Sequence, residues 1–259
     1  MKIAVSGKGG VGKTLIAGAL ACHFAREGLR TIAIDADPSP NLSLTLGVSP
    51  EEARKIVPIS ANKQLVSSKT ETEYSGVYRL SFTVDDVVRD FSFETPMGVS
   101  LIVMGTVKSV GSGCTCPSNA VVRALLRHLI VERDEVILLD MEAGVEHLGR
   151  GTARQVDVML VVTDSSIKSL ETAKHIHTLA TEAGMKRILL VGNKVAHETQ
   201  RRAIEDYVER NGFSLLGFVP FDETVAEAET LGETPLKNRD SVAVQTIEKF
   251  GARLLHPRR

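Results

Sequence analysis

Nowhere does the sequence stay apolar over the roughly 18 residues that crossing a bilayer takes, so it offers no transmembrane helix. The opening Lys2-Ile-Ala-Val-Ser6 leads straight into a strand-like run without a secretory leader, which sets the expectation of a cytoplasmic protein. Nor does charge of one sign dominate. With 31 basic residues against 32 acidic ones, bulk electrostatics give no reason to expect nucleic acid or an anionic membrane as partner, and either would need a local patch. Cysteine is scarce too: three in 259 residues build no disulfide framework, and in a reducing compartment a close pair points to metal or redox chemistry. Internal repeats and low-complexity tracts are also missing.

What the sequence has is a hydrophobic content of 43%, enough for a full core in one α/β domain spanning 1–259. Short β-branched runs at Ile3–Val5, Thr31–Ile34, Val99–Met104, Val136–Leu139, Val158–Val162, Ile188–Val191 and Leu215–Val219 read as buried strands. Helical patterns over Thr14–Glu27, Ser118–Glu132 and Asp240–Leu255 lie between and after them. This alternation predicts a mostly parallel twisted sheet with helices on both faces. The stretch 50–96 is polar and weakly periodic, and reads as an insertion with a hairpin around Tyr74–Phe82.

Directly after the first strand comes Gly7-Lys-Gly-Gly-Val-Gly-Lys-Thr14, which satisfies Gly-x4-Gly-Lys-Thr. Such a loop wraps backbone N–H groups around a phosphate at a helix N-terminus, so Gly9, Gly10, Val11, Gly12, Lys13, Thr14 and Leu15 are the expected cradle for ATP or ADP. Lys13 would reach the β- and γ-phosphates and the Thr14 hydroxyl would ligate Mg²⁺. The same glycines also spell Gly-x-Gly-x-x-Gly, with Asp35 at the distance of a ribose-binding acid. On glycines alone the dinucleotide and ATP readings tie. Lys13-Thr14 and a second acidic strand end at Asp140, suited to outer-sphere Mg²⁺, favour ATP. Asp37 also falls on the phosphate side, where it would orient the attacking water or serve as a turn residue before Pro38.

Cys114 and Cys116 are two apart, so in an extended segment both sulfurs face one way. They read as half of a metal site, a local disulfide or two packed small residues. Pro117-Ser118 open the next helix, whose dipole favours thiolates. Cys22 lies among Ala21, Phe24 and Ala25 and reads as a core thiol. His175 and His177 face different sides of a helix and make a poor chelate. His147 reads equally as a nucleotide-responsive group or a structural hydrogen-bond partner.

Lys8 beside the ordinary Lys13 gives Lys-Gly-Gly-Val-Gly-Lys-Thr, which resembles the deviant Walker A motif of the MinD, ParA, nitrogenase iron protein and ArsA/Get ATPases. The resemblance implies ATP hydrolysis, a homodimer, and a Lys8 that reaches across to the partner's nucleotide. Within that class the chain resembles the CooC-type nickel-insertion ATPases over nearly its whole length. The matching stretches are Asp35-Ala-Asp-Pro-Ser-Pro-Asn41 as switch I, Gly113-Cys-Thr-Cys-Pro-Ser-Asn119, and Leu139–Gly151 as switch II. Gly192-Asn193-Lys194 and Pro220-Phe221-Asp222-Glu223 match the family's adenine-side contacts. Thr163-Asp-Ser-Ser166 departs from a Glu-Pro pair common in relatives. The family is proposed to join two Cys-x-Cys pairs across the dimer axis into four thiolates for Ni²⁺ or Zn²⁺, serving a client such as carbon monoxide dehydrogenase or acetyl-CoA synthase.

Two other functions share the phosphate loop. A MinD- or ParA-like positioning ATPase is disfavoured by the C-terminal Leu254-Leu-His-Pro-Arg-Arg259, too short and too broken by Pro257 for an interfacial helix. An iron–sulfur electron-transfer ATPase also needs four thiolates, but in the iron protein the two cysteines per subunit come from separate segments.

Overall fold

The structure is a computed structural model that describes residues 1–37, 39–62, 88, 92–105, 117–132, 135–145 and 148–256. Each β-branched run named above forms a strand: β1 (Lys2–Gly7), β2 (Thr31–Asp35), β4 (Ser100–Val103), β5 (Val136–Asp140), β6 (Val158–Thr163), β7 (Ile188–Val195) and β8 (Leu215–Pro220). One strand escaped the reading, the two-residue β3 (Phe93–Glu94), which pairs antiparallel with β4. The sheet order is β3-β4-β2-β5-β1-β6-β7-β8, and every other pairing is parallel. Its doubly wound layout is that of a P-loop NTPase. The hairpin expected at Tyr74–Phe82 lies outside the described residues, as do Cys114, Cys116, His147 and Pro257–Arg259.

Alternation of side chains along the strands sorts the core into two layers. Ile3, Val5 and Ala33 pack on one face with Ile16, Leu20 and Phe24 of α1 (Lys13–Arg26) and Val244, Ile247 and Phe250 of α9 (Val242–Leu255). Ala4, Ile32 and Ile34 face the other way, against Leu125 and Leu129 of α4 (Pro117–Glu132) and Leu170 and Ile176 of α6 (Ile167–Glu182). The remaining α-helices among the described residues are α2 (Leu42–Thr45), α3 (Pro50–Ala53), α5 (Gly149–Ala153), α7 (Glu198–Asn211) and α8 (Glu223–Leu231). Ile59, in a 3-10 turn within the polar stretch, is 1% exposed and joins the layer beneath α4. Among the described residues no helix is long and apolar enough to cross a membrane.

Parallel strands leave their carboxyl ends on one edge, and that edge carries the loops after β1, β2, β5 and β7. The phosphate loop follows β1, the central of these, so acids ending β2 and β5 fall beside it.

Candidate nucleotide-binding site

Gly7 packs so closely on β6 that a Cβ there would lie 2.3 Å from the Val162 carbonyl oxygen. Gly10 and Gly12 hold φ values of +81° and +91°, a left-handed backbone that side chains resist. Turns of this hand gather N–H groups into a concave anion nest, here at the start of the 14-residue α1. Lys13 is 6% exposed, and its ammonium donates to the Lys8 carbonyl at 3.3 Å.

The back of the loop is held from β7. Asn193 donates its side-chain amide to Val11 O at 2.7 Å, and Lys194 donates its ammonium to Gly10 O at 2.9 Å. Lys194 has φ +59° and is the sole non-glycine residue with positive φ among the described residues. A left-handed backbone costs about 1 kcal/mol or more in a residue with a Cβ.

On the acidic side, Asp35 and Asp140 are register partners at the ends of β2 and β5. Asp35 is fully buried and accepts N–H groups from Leu42 at 2.9 Å and Asp37 at 3.2 Å, anchoring the segment after β2. Burial pushes its carboxyl up to about 6 despite those hydrogen bonds. Asp140 is 1% exposed, and neither carboxylate oxygen has a hydrogen-bond partner among the described residues. Burial raises it to about 7, with the Thr14 hydroxyl and the Lys13 charge pulling the other way and Asp35 and Asp37 adding to the rise. Past Asp140, the Ser6 hydroxyl donates to Glu142 O at 2.7 Å and accepts the Gly144 N–H at 3.1 Å, fixing the segment after β5 to β1.

Between these parts lies a cavity of about 470 Å³. Gly9, Gly10, Gly12, Lys13, Thr14 and Leu15 line it together with Asp37 and Lys194. Ser39 and Asn41, from the stretch that matched switch I, also line it, as do Glu229 and Glu233, which no motif had marked. Glu229 and Glu233 belong to the polar run of α8 and the loop after it; only the fold turns them toward the phosphate loop. Lys8, Val11, Asn193 and Asp140 sit around the cavity without lining it. Pro220, Phe221 and Asp222 do not line it either. Phe221 is 48% exposed, and Asp222 joins two helices: it caps α8 through Thr224 N–H at 3.0 Å and binds the Ser241 hydroxyl at 2.6 Å and Ala243 N–H at 3.1 Å before and within α9. Burial works to raise the Asp222 carboxyl, but these donors outweigh it and hold it down at about 2. At the departure Thr163-Asp-Ser-Ser166, Ser166 simply caps α6 by accepting Ser169 N–H at 3.3 Å.

The residues present fit Mg²⁺ held chiefly by phosphate and water. The buried oxygens of Asp140 would suit an ion's water shell, and the Thr14 hydroxyl would supply a direct oxygen. Among the described residues no group of three or more His, Cys, Asp or Glu forms a protein cage for a metal. Cys114 and Cys116 are outside those residues.

The model of the CobQ/CobB/MinD/ParA nucleotide-binding domain matches residues 2–236. The chain is 44% identical over 234 residues, 90% of this chain and 88% of the relative, to the carbon monoxide dehydrogenase accessory protein CooC of Rhodospirillum rubrum. It is 43% identical over 253 residues, 96% of each chain, to an uncharacterised ATP-binding protein of Methanocaldococcus jannaschii. Of solved structures, the MinD cell division protein of Aquifex aeolicus superposes with a TM-score of 0.69 at 18% identity, covering 98% of this chain and 97% of that one. At that identity the likeness is one of fold.

Proposed function

The chain belongs to the CobQ/CobB/MinD/ParA nucleotide-binding family as a CooC-type deviant P-loop ATPase, and from that premise we propose that it delivers nickel to a client enzyme of the carbon monoxide dehydrogenase or acetyl-CoA synthase kind. The observation that carries this reading is the 44% identity across 90% of the chain to a protein named as a carbon monoxide dehydrogenase accessory protein, in a sequence that holds Cys114-Thr-Cys116.

ATP hydrolysis here needs little covalent help from the protein. Water attacks the γ-phosphorus, the bridging bond breaks toward ADP, and the water's proton leaves with phosphate. The loop N–H groups and the α1 N-terminus hold the phosphates. Lys13 turns from the Lys8 carbonyl to the β- and γ-oxygens, Asp37 orients the water, and Asp140 would hold Mg²⁺ through its water shell. When bound, that ion neutralises charge developing on the phosphates. Lys8 reaches the nucleotide of a second copy.

Closure of two copies brings Cys114 and Cys116 against the same pair of the other copy, making four thiolates for Ni²⁺ or Zn²⁺ as cargo. Gamma-phosphate contacts through Asp37 and the Asp140–Gly144 segment favour that closed geometry, and hydrolysis releases it. Gel filtration with anaerobic metal analysis tests the proposal. The parent protein should bind about one ion per two chains, and Cys114→Ser/Cys116→Ser should bind none. A double variant that bound nickel and dimerised like the parent would sink the nickel reading while leaving the ATPase intact.

A further inference from the structure

A second hollow, of about 250 Å³, opens beside the nucleotide cavity, and Val103 at the carboxyl end of β4 lines it. Its walls are apolar: Pro40, Leu44, Pro50, Ile56 and Pro58 form them, and the three prolines carry no N–H to donate. Val57, between two of these residues, is 59% exposed and adds apolar surface beside them. Small-molecule sites start at about 300 Å³, so a hollow of this size suits a side chain of another protein. Charge at its rim is unbalanced. The capping box of α3 occupies Glu52 with Ser49, and Lys55 pairs with Glu51 at 3.3 Å. Arg54 also lines the hollow, is exposed, and has no ion-pair partner among the described residues.

We propose that this hollow is where the client enzyme docks, taking an apolar side chain that stands next to a carboxylate, and that it reads the nucleotide state through Leu44. Burial of the apolar side chain supplies the attraction, and the pairing of Arg54 with the acid selects which segment fits. Leu44 lines the nucleotide cavity as well, so the single turn of α2 is the wall between the two. That wall is pinned at both ends. Asp35 accepts the Leu42 N–H at 2.9 Å, and the Thr234 hydroxyl donates to the Thr45 carbonyl. A docked client and a bound nucleotide therefore meet the same residue from two cavities, and whatever affinity one adds to the other is returned in equal measure.

This inference rests on the client reading of the proposed function, and its test begins without the client. Saturation-transfer NMR with N-acetyl-Leu-Asp-amide and N-acetyl-Leu-Lys-amide should show the parent binding the acidic peptide about three- to fivefold more tightly, and Arg54→Glu should reverse that order. Ala53→Trp, which fills the hollow, should bind neither peptide. Mg²⁺ with a non-hydrolysable ATP analogue should tighten the acidic peptide by roughly fivefold, because the nucleotide orders the segment that carries Leu44. Nickel-free carbon monoxide dehydrogenase should bind the parent and lose about tenfold in affinity with either variant, while melting temperature, ATP-dependent dimerisation and basal hydrolysis stay those of the parent. Arg54→Glu, at an exposed position, carries the test alone should Ala53→Trp fail to fold. Equal binding of the two peptides by the parent would overturn the inference, as would an unchanged order in Arg54→Glu or a peptide affinity blind to nucleotide. Lost dimerisation in Arg54→Glu would overturn it too, assigning the hollow to a second copy. Peptides behaving as expected beside a client that ignores the parent would bring down the client reading alone.

Discussion

Gly144 donates its N–H to the hydroxyl oxygen of Ser6 across 3.1 Å, fastening the segment after β5 to the end of β1. Ser6 and Gly144 are both buried, so water does not replace this bond. Ser6→Ala should lower unfolding stability by about 1–3 kcal/mol in urea melts, the usual cost of a buried donor left unpaired. It should also slow turnover at saturating ATP more than it weakens ATP binding, since the loosened segment follows directly on Asp140. Wild-type turnover in the variant would show that this bond is structural only.

Stability should fall as pH rises through neutrality. Asp140 is raised to about 7 and Asp35 to about 6 from an ordinary 3.8. An acid with a higher pKa folded than unfolded holds its proton more tightly in the folded state. Its contribution is full below the unfolded pKa and is lost as pH climbs past 6 and 7. The nucleotide-free protein should therefore melt lower at pH 8 than at pH 5, by an amount on the order of a few kcal/mol. Asp140→Asn should flatten that slope and stabilise the protein at pH 8 while abolishing Mg²⁺-dependent hydrolysis. A pH-independent melting curve for the parent would refute the account.

Gly12→Ala meets two obstacles at once, a φ of +91° and a Cβ 2.3 Å from the Asn193 amide. Nucleotide binding should fall by at least about a hundredfold, roughly 2.7 kcal/mol or more. Fluorescent ADP titration measures it directly.

Asp222→Ala removes the cap of α8 and its link to Ser241 and Ala243 together. Loss of an N-cap acid alone costs about 1 kcal/mol, and the second helix adds to that. Chemical denaturation should show the loss. ATP affinity in the variant should stay within about twofold if Asp222 is structural, and a larger drop would place it at the nucleotide after all.

Lys8→Ala should spare nucleotide binding by the monomer yet abolish ATP-dependent dimerisation and most hydrolysis. Analytical ultracentrifugation with a non-hydrolysable analogue checks the first, and phosphate release the second. A variant that dimerised normally would remove Lys8 from the interface.

Much of the fold could be read because buried parallel strands are continuous β-branched runs and their helices carry apolar residues at helical spacing. Two residues hold no period, which is why β3 was invisible: Phe93-Glu94 is defined only by its pairing with Leu101 and Ser100. Ile59 was hidden likewise, the end of a short apolar cluster, Ile56-Val57-Pro58-Ile59, that shows neither strand nor helix period and that the core reaches out to cover. At the site, the loop glycines and Lys13 announced themselves by spacing. Ser6, Asn193 and Lys194 act through partners more than 130 positions away, and no local pattern records such a distance. Asp35 was visible as an acid at a strand end, but its task of tethering Leu42 and Asp37 appears only once the turn is formed.

Lys13 waits on the Lys8 carbonyl with 6% of its surface exposed, a cation already stripped of most of its water and offered one neutral oxygen in return. The cost of that dehydration falls on folding, so an arriving triphosphate meets an ammonium ready to bind. The empty protein is accordingly held below its full stability by a charge whose hydrogen-bond acceptor is a neutral carbonyl. Any compact polyanion that fits the loop, even one with no base at all, answers that charge and tightens the whole sheet around it.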